Sequence, residues 1–476
     1  MRHQGPPDAA APGANHDTNV DVDTRAHARG PDAGGNRTDA NNTGWRVFGP
    51  DARHHAETED RPMTGFARID GDLWAEGMPL AAIAARHGTP SFVYSRAALE
   101  QAWIEYDAAF GDVPHLVCYA TKANSNLAVL NLFARLGSGF DIVSGGELAR
   151  VIAAGGDPGK VVFSGVGKTE AEIEAALAAG ILCFNVESAA ELETINAVAG
   201  RAGRVAPVSF RVNPDVDPGT HPYISTGLKE NKFGVAFKEA RALYARAASL
   251  AHVSIRGIDI HIGSQIGELA PHREAALKVR DLVEELASDG IALHHIDLGG
   301  GLGIRYDDEV PLSVQDYAAM LRDVFGGRPE RLLLEPGRRL VGNAGVMLTR
   351  VIYLKPGEER NFAIVDGAMN DLIRPALYDA WHAVEPLSMR SGPTRLWQVV
   401  GPICESGDFL ARNRELALAA GDLLAVRSAG AYAFAMSSNY NSRPRACEII
   451  VDGEQAHVVR PREDVTELFA HETTLP

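Results

Sequence analysis

The stretch HLVCYATKANSNLAVLNLFARLGSGFDIVSGGELARVIAAGGDPGKVVFSG, residues 115–165, runs twice through one structural unit. A short apolar run ends at polar residues, an amphipathic stretch with helical spacing follows, and glycines close the unit. The alternation continues beyond it. Its apolar runs are HLVCYA (115–120), FDIV (140–143), KVVFS (160–164), ILCFN (181–185), APVSFRV (206–212), SIRGIDIH (254–261), HHIDLG (294–299) and RLLLEP (331–336). Three intervening helices open on the signature of a capping box, at Ser144/Glu147, Thr169/Glu172 and Ser188/Glu191, where hydroxyl and carboxylate each satisfy an orphan N–H. Ile173 and Leu177 fall one turn apart, on one helix face. Strands alternating with helices predict a parallel sheet. Eight units between 112 and 345 predict a closed (β/α)8 barrel; an open doubly wound sheet more often has fewer strands and a glycine-rich turn after the first.

The rhythm changes past the barrel. VMLTRVIYL (346–354), NFAIVD (361–366), LWQVVGPIC (396–404), DLLAVRS (422–428) and CEIIVDG (447–453) read as strands separated by Pro and Gly, so 346–476 is expected to form a β domain of sandwich or barrel-like type. Residues 63–111, with FARI and PSFVYS, are expected to join it in part. Residues 1–62 are rich in Gly, Pro, Asp, Asn and Arg and nearly free of large apolar side chains; burial there cannot offset ordering entropy, so a disordered extension is expected. It has no apolar segment typical of a secretory signal.

Composition narrows the function. Hydrophobic residues make up 45% and charged residues 23%, an ordinary globular balance. No apolar run reaches the ~18 residues of a membrane helix. With 46 Lys+Arg against 62 Asp+Glu the net charge is −16, which disfavours nucleic acid. Cys118, Cys183, Cys404 and Cys447 are too scattered for a disulfide framework or a zinc site, so no metal and a reducing cytoplasm are expected.

Chemistry on such a barrel sits at the C-terminal ends of the strands. Strand one ends at Lys122. A lone lysine there is ordinarily a surface charge, but at a barrel mouth it can form a Schiff base. Asp141, on strand two, is placed to sit near it. Strand six ends in His261 and Ser264. Strand seven ends in Gly299, Gly300, Gly301, a run that lets backbone N–H groups approach an anion, and barrels often bind phosphate in this region. Strand eight ends in Glu335, Gly337 and Arg338. Pyridoxal 5'-phosphate requires a Schiff-base lysine, a phosphate cradle and an acidic partner for its ring nitrogen; Lys122, Gly299–Gly301 and Glu335 supply the three from three strands. In the β domain Cys404 is flanked by Glu405, Ser406 and Asp408, so it is the cysteine expected in an exposed functional loop, able to donate a proton.

The motifs YATKANSN (119–126), FDIVSGGEL (140–148), HPYISTGLKENKFG (221–234), HIGSQ (261–265), GGGLG (299–303), EPGR (335–338), GAMNDLIRPALY (367–378), CESGD (404–408) and the GAY ending at Tyr432 resemble the diaminopimelate decarboxylases, of the fold-type III pyridoxal-phosphate decarboxylases. The resemblance runs from about 66 to 465. It implies decarboxylation of meso-2,6-diaminopimelate to L-lysine and CO2 through a pyridoxal-phosphate aldimine, the last step of lysine biosynthesis. It implies that Lys122 carries the aldimine, His261 stacks on the ring and Glu335 holds the ring nitrogen protonated. Gly300 and its neighbours, Gly337 and Ser264 would hold the phosphate. Arg338, Arg374 and Tyr378 would read the distal end of the substrate, and Tyr432 would lie near both molecules. Cys404 would protonate the carbanion beside Glu405, both from the second subunit of a homodimer with shared active sites. The alternatives are a related decarboxylase of ornithine or arginine, and less so an amino-acid racemase. A racemase needs acid/base groups on opposite faces and typically an arginine at the ring nitrogen, where this chain has Glu335.

Overall fold

The computed structural model describes residues 65–217 and 232–476. The disorder expected of 1–62, and the stretch 221–231 of the HPYISTGLKENKFG motif, lie outside them.

The eight expected barrel strands are present: β1 (His115–Ala120), β2 (Gly139–Ile142), β3 (Val161–Phe163), β4 (Cys183–Val186), β5 (Ala206–Asn213), β6 (Val253–Asp259), β7 (His295–Asp297) and β8 (Arg331–Leu334). Each pairs in parallel with the next. β8 pairs with β1 through Leu333 and Leu116, and β4 with β5 through Phe184 and Val208, so the sheet closes and the open-sheet alternative is excluded. The period of two shows on β1. Leu116 and Cys118 join Val162, Cys183 and Leu333 in one small apolar cluster, while Val117 and Tyr119 belong to the large cluster that also contains helix residues such as Val129 and Phe133. Cys118 and Cys183 are thus buried thiols of the core. Phe140, Phe163, Phe184 and Phe210, on four successive strands, are fully buried in the large cluster; burying each such ring is worth roughly 1.5–3 kcal/mol.

Of the three expected capping boxes, Thr169/Glu172 is complete at the start of helix Glu170–Ala179. At Ser144 and Ser188 the hydroxyl does accept the Glu N–H three residues on, but each carboxylate reaches one residue further back, to the N–H of Val143 and Glu187. The hydroxyl thus serves the expected donor, while the carboxylate serves the N–H one residue before the cap.

A second sheet of nine strands takes the C-terminal segments: Gly345–Lys355, Asn361–Val365, Val384–Pro386, Arg395–Val400, Phe409–Leu416, Leu423–Val426, Cys447–Asp452 and Gln455–Arg460. Its ninth member, Ser91–Ser95, comes from before the barrel. It pairs antiparallel with Gly345–Lys355 and parallel with Cys447–Asp452. Phe66–Ile69, Asp72–Ala75 and Met78–Pro79 form a separate three-stranded antiparallel sheet. Among the described residues no helix is long and apolar enough to cross a membrane.

Candidate active site

Lys122 leaves the end of β1 in a single 3-10 turn, Thr121–Ala123. The loop carrying it is fixed from several sides. The Tyr119 hydroxyl donates to the Asn124 carbonyl at 2.9 Å, the Asn124 side chain donates to the Gly430 carbonyl, and Asn126 caps the next helix. The Tyr432 N–H donates to the Ala123 carbonyl at 2.8 Å. Tyr432 holds a left-handed backbone, φ 54°, which costs energy in a non-glycine residue and is paid for by this tethering.

From that loop Lys122 Nζ donates to Asp141 Oδ2 at 2.5 Å. Burial lowers the lysine's pKa, but Asp141, Glu335 and the Tyr432 phenol outweigh it and hold the ammonium above its ordinary range. Glu335 is buried, and among the described residues its Oε1 has no hydrogen-bond partner. Burial first, then the charges of Asp141, Asp297 and Asp259, keep its carboxyl well above the usual range. Asp259, Asp297 and Glu335 bring oxygens within 4.8 Å of one another, and Asp297 is pushed up to about 7, chiefly by burial.

His261 accepts the Gly300 N–H at Nδ1, 3.2 Å away. Burial, then the cations Arg211 and Lys122, lower its pKa well below 6.5, so the ring is neutral. Gly299 and Gly301 have φ of 64° and 113°, the left-handed region that favours glycine, and a Cβ on Gly300 would fall 2.2 Å from the Glu335 carbonyl oxygen. Arg338 donates from Nε and Nη2 to Ser264 Oγ at 3.3 and 3.0 Å, and from Nη1 to the Tyr306 hydroxyl at 2.7 Å. Its guanidinium lies over the Tyr432 ring at 4.8 Å. Arg374, at the head of the short helix Arg374–Tyr378, bonds His382 and lies 4.6 Å from the centre of the Tyr306 ring.

These side chains share one space. A cavity of 490 Å³ is lined by Lys122, His261, Ser264, Arg338, Arg374, Tyr378 and Tyr432 among others. A narrower recess shares Lys122, His261, Ser264, Arg338 and Tyr432 and adds Gly301, Glu335 and Gly337. Cys404 and Glu405 line neither. They sit on an exposed loop whose base is pinned by buried Asp408, which accepts the N–H groups of Ile403 and Met369, and Glu405 accepts from the Tyr440 hydroxyl. Tyr306 and His382 are the residues sequence reasoning misses. Neither stands at a strand end or in a motif with its own chemistry, and only their contacts with the two arginines reveal them.

The residues fit pyridoxal phosphate. Orphaned Glu335 Oε1 calls for an N–H donor, which a protonated ring nitrogen provides. Gly301 and Gly337 line the recess together with the Arg338 guanidinium, backbone and cation in one place, as a phosphate requires. An amine held to a carboxylate stands in the same recess.

Residues 96–342 match the family described as pyridoxal-dependent decarboxylase, pyridoxal binding domain. The chain is 60% identical over 414 residues to a diaminopimelate decarboxylase of Pseudomonas aeruginosa, covering 87% of this chain and 100% of that protein. It is 57% identical to one of Vibrio cholerae, covering 86% and 98%. Among solved structures, a diaminopimelate decarboxylase of Helicobacter pylori complexed with L-lysine matches with TM-score 0.80 and 42% identity, covering 83% of this chain and 99% of that one. That of M. jannaschii in co-complex with L-lysine matches with TM-score 0.83 and 36% identity, covering 86% and 98%.

Proposed function

The chain belongs to the diaminopimelate decarboxylases, within the pyridoxal-dependent decarboxylases, and from that premise we propose how its own residues carry the reaction. It converts meso-2,6-diaminopimelate to L-lysine and CO2, the lysine-forming step of lysine biosynthesis. Its cofactor is pyridoxal 5'-phosphate, which when bound supplies an electron sink for the pair left by departing CO2.

Lys122 is the anchoring amine, and Asp141 orients its Nζ. With the cofactor bound, Glu335 would present Oε1 to the ring nitrogen and keep a proton there. Neutral His261 would lie against the ring. Gly299–Gly301, Gly337 and Ser264 would hold the phosphate. Arg338, Arg374 and Tyr378 bind the distal amino-acid end, which must be recognised and left intact, and Tyr432 stands between the two regions. Arginine suits that task because its planar fork pairs with a carboxylate in parallel bonds.

Cys404 returns a proton to the reacting carbon, with Glu405 beside it, and both act from the second subunit of a homodimer. In support, neither lines the cavity of its own chain, while the reaction needs a donor facing the lysine. The enzyme works in the cytoplasm, a setting that suits its four free thiols.

One observation carries this reading: a single cavity joins Lys122 to two buried guanidiniums. Ornithine and arginine lack the second carboxylate that such a pair would bind. CO2 release is therefore expected from meso-diaminopimelate and not, at comparable rates, from ornithine, arginine or D-alanine. Preference for ornithine or arginine would move the enzyme to the related decarboxylases, and interconversion of isomers without CO2 would make it a racemase.

A further inference from the structure

Arg338 and Arg374 are both buried, and no carboxylate is within ion-pair distance of either among the described residues. Asp307 and Glu309 line the same cavity but pair with neither guanidinium, and two buried cations without a directly paired carboxylate are costly to hold. The groups that hold them carry no charge of their own. Tyr306, in the loop after the glycine run, lies between the two. Its hydroxyl accepts from Arg338 Nη1 at 2.7 Å, and its ring lies 4.6 Å from the Arg374 guanidinium, a cation–π contact.

His382 completes the arrangement, and its partners fix its tautomer. Nδ1 lies 2.8 Å from the Arg427 carbonyl oxygen, which can only accept, so Nδ1 carries the proton. Nε2 lies 2.8 Å from Arg374 Nη1, which can only donate, so Nε2 offers its lone pair. One neutral tautomer satisfies both bonds. The ring is fully buried and stands edge-on to Tyr306, with centroids 5.3 Å apart. Arg414 donates to the His382 carbonyl at 2.7 Å and so fixes the backbone as well.

We propose that Tyr306 and His382 are positioning residues for substrate recognition, holding Arg338 and Arg374 in place through neutral acceptors and a ring face so that both charges stay available to the carboxylate of the distal end. This rests on the reading above that those arginines bind that carboxylate. A carboxylate in place of either residue would orient the arginines equally well, but it would neutralise them and compete with the substrate. A neutral acceptor orients without competing.

The test measures binding of L-lysine, which keeps one carboxylate, and of 1,5-diaminopentane, which has none, to the cofactor-loaded enzyme by calorimetry. The parent enzyme is expected to prefer lysine. His382→Leu removes the acceptor for a charged donor and is expected to weaken lysine binding about tenfold while leaving the diamine unchanged. KM for diaminopimelate rises in step, and kcat stays within about threefold. His382→Gln restores an uncharged acceptor and is expected to recover most of the loss. Tyr306→Phe, which deletes a single hydroxyl and guards against a leucine variant that fails to fold, is expected to lower lysine affinity without touching the diamine. Equal weakening of both ligands, or no weakening of lysine in either variant, overturns the proposal. A parent enzyme that binds both ligands alike overturns the arginine reading itself, and the inference with it.

Discussion

Asp297 shares the interior of the barrel with Glu335 and Asp259, and burial holds its carboxyl near pH 7. An exposed aspartate in the unfolded chain titrates near ~3.9. Between about pH 4 and 7 the folded protein therefore keeps a proton that the unfolded chain has lost, so this group's contribution to stability falls as pH rises through that window. Asp297→Asn has no such proton. In the cofactor-free protein the Tm of the parent relative to the variant is expected to drop between about pH 4 and pH 7, measured by calorimetry in matched buffers. A difference that stays flat would mean that Asp297 is ionised throughout. At this scale the sequence is legible where position alone carries the argument. Lys122, Asp141, His261 and Glu335 stand on strands or at their ends, and barrels concentrate chemistry there. It is silent where a residue matters through its partner. Asp297 is visible in the motif before the glycine run, but its two carboxylate neighbours come from β6 and from the end of β8, far away in the chain.

Helix and loop are joined at the barrel mouth by Lys168. Its Nζ donates to the carbonyls of Gly165 and Asn185 at 2.8 Å each and to Glu191 Oε1 at 2.6 Å, and the two charged side chains are only 1% and 8% exposed. The loop after β3 is thereby tied to the end of β4 and to helix Ala189–Arg201. Glu191→Gln strands the buried ammonium and is expected to cost about 3–5 kcal/mol. The double change Lys168→Met with Glu191→Leu removes both charges and is expected to cost less than the single one. Thr169→Ala, which dismantles the complete capping box beside it, should cost about 1 kcal/mol. Denaturant midpoints of the three variants would rank them, and a single variant no worse than the double would remove the ion pair from the account. The barrel strands were legible as apolar runs because both faces of each are covered, which leaves a continuous signal. The destination of Glu147 and Glu191 was not. The Ser-x-x-Glu spacing names a donor three residues back, whereas the distance to the next N–H along the chain is settled only by the local path of the backbone.

Across the whole molecule, the exposed Cys404 loop and the cavity-lining Lys122 belong to different sheets, and the proposed dimer makes them one site. Lys122→Ala and Cys404→Ala should each be inactive alone. After subunit exchange each mixed dimer holds one site with both residues intact and one with neither. Random exchange makes about half the dimers mixed, so about one quarter of all sites recover if the sites act independently. Differently tagged subunits would verify exchange, and mixed dimers that stay inactive would return Cys404 to its own chain. The second sheet also sets an order of events during synthesis. Strand Ser91–Ser95 is flanked by Gly345–Lys355 and Cys447–Asp452. A ribosome adds about 5–20 residues per second, so the strand emerges on the order of 20–70 s before its last neighbour exists. Meanwhile the barrel has all its strands as soon as Leu334 is out. The nascent chain thus carries a buried-type strand with an open edge through most of its translation, the state most exposed to pairing with another chain. Prompt barrel closure does not relieve it; only arrival of the C-terminal strands does.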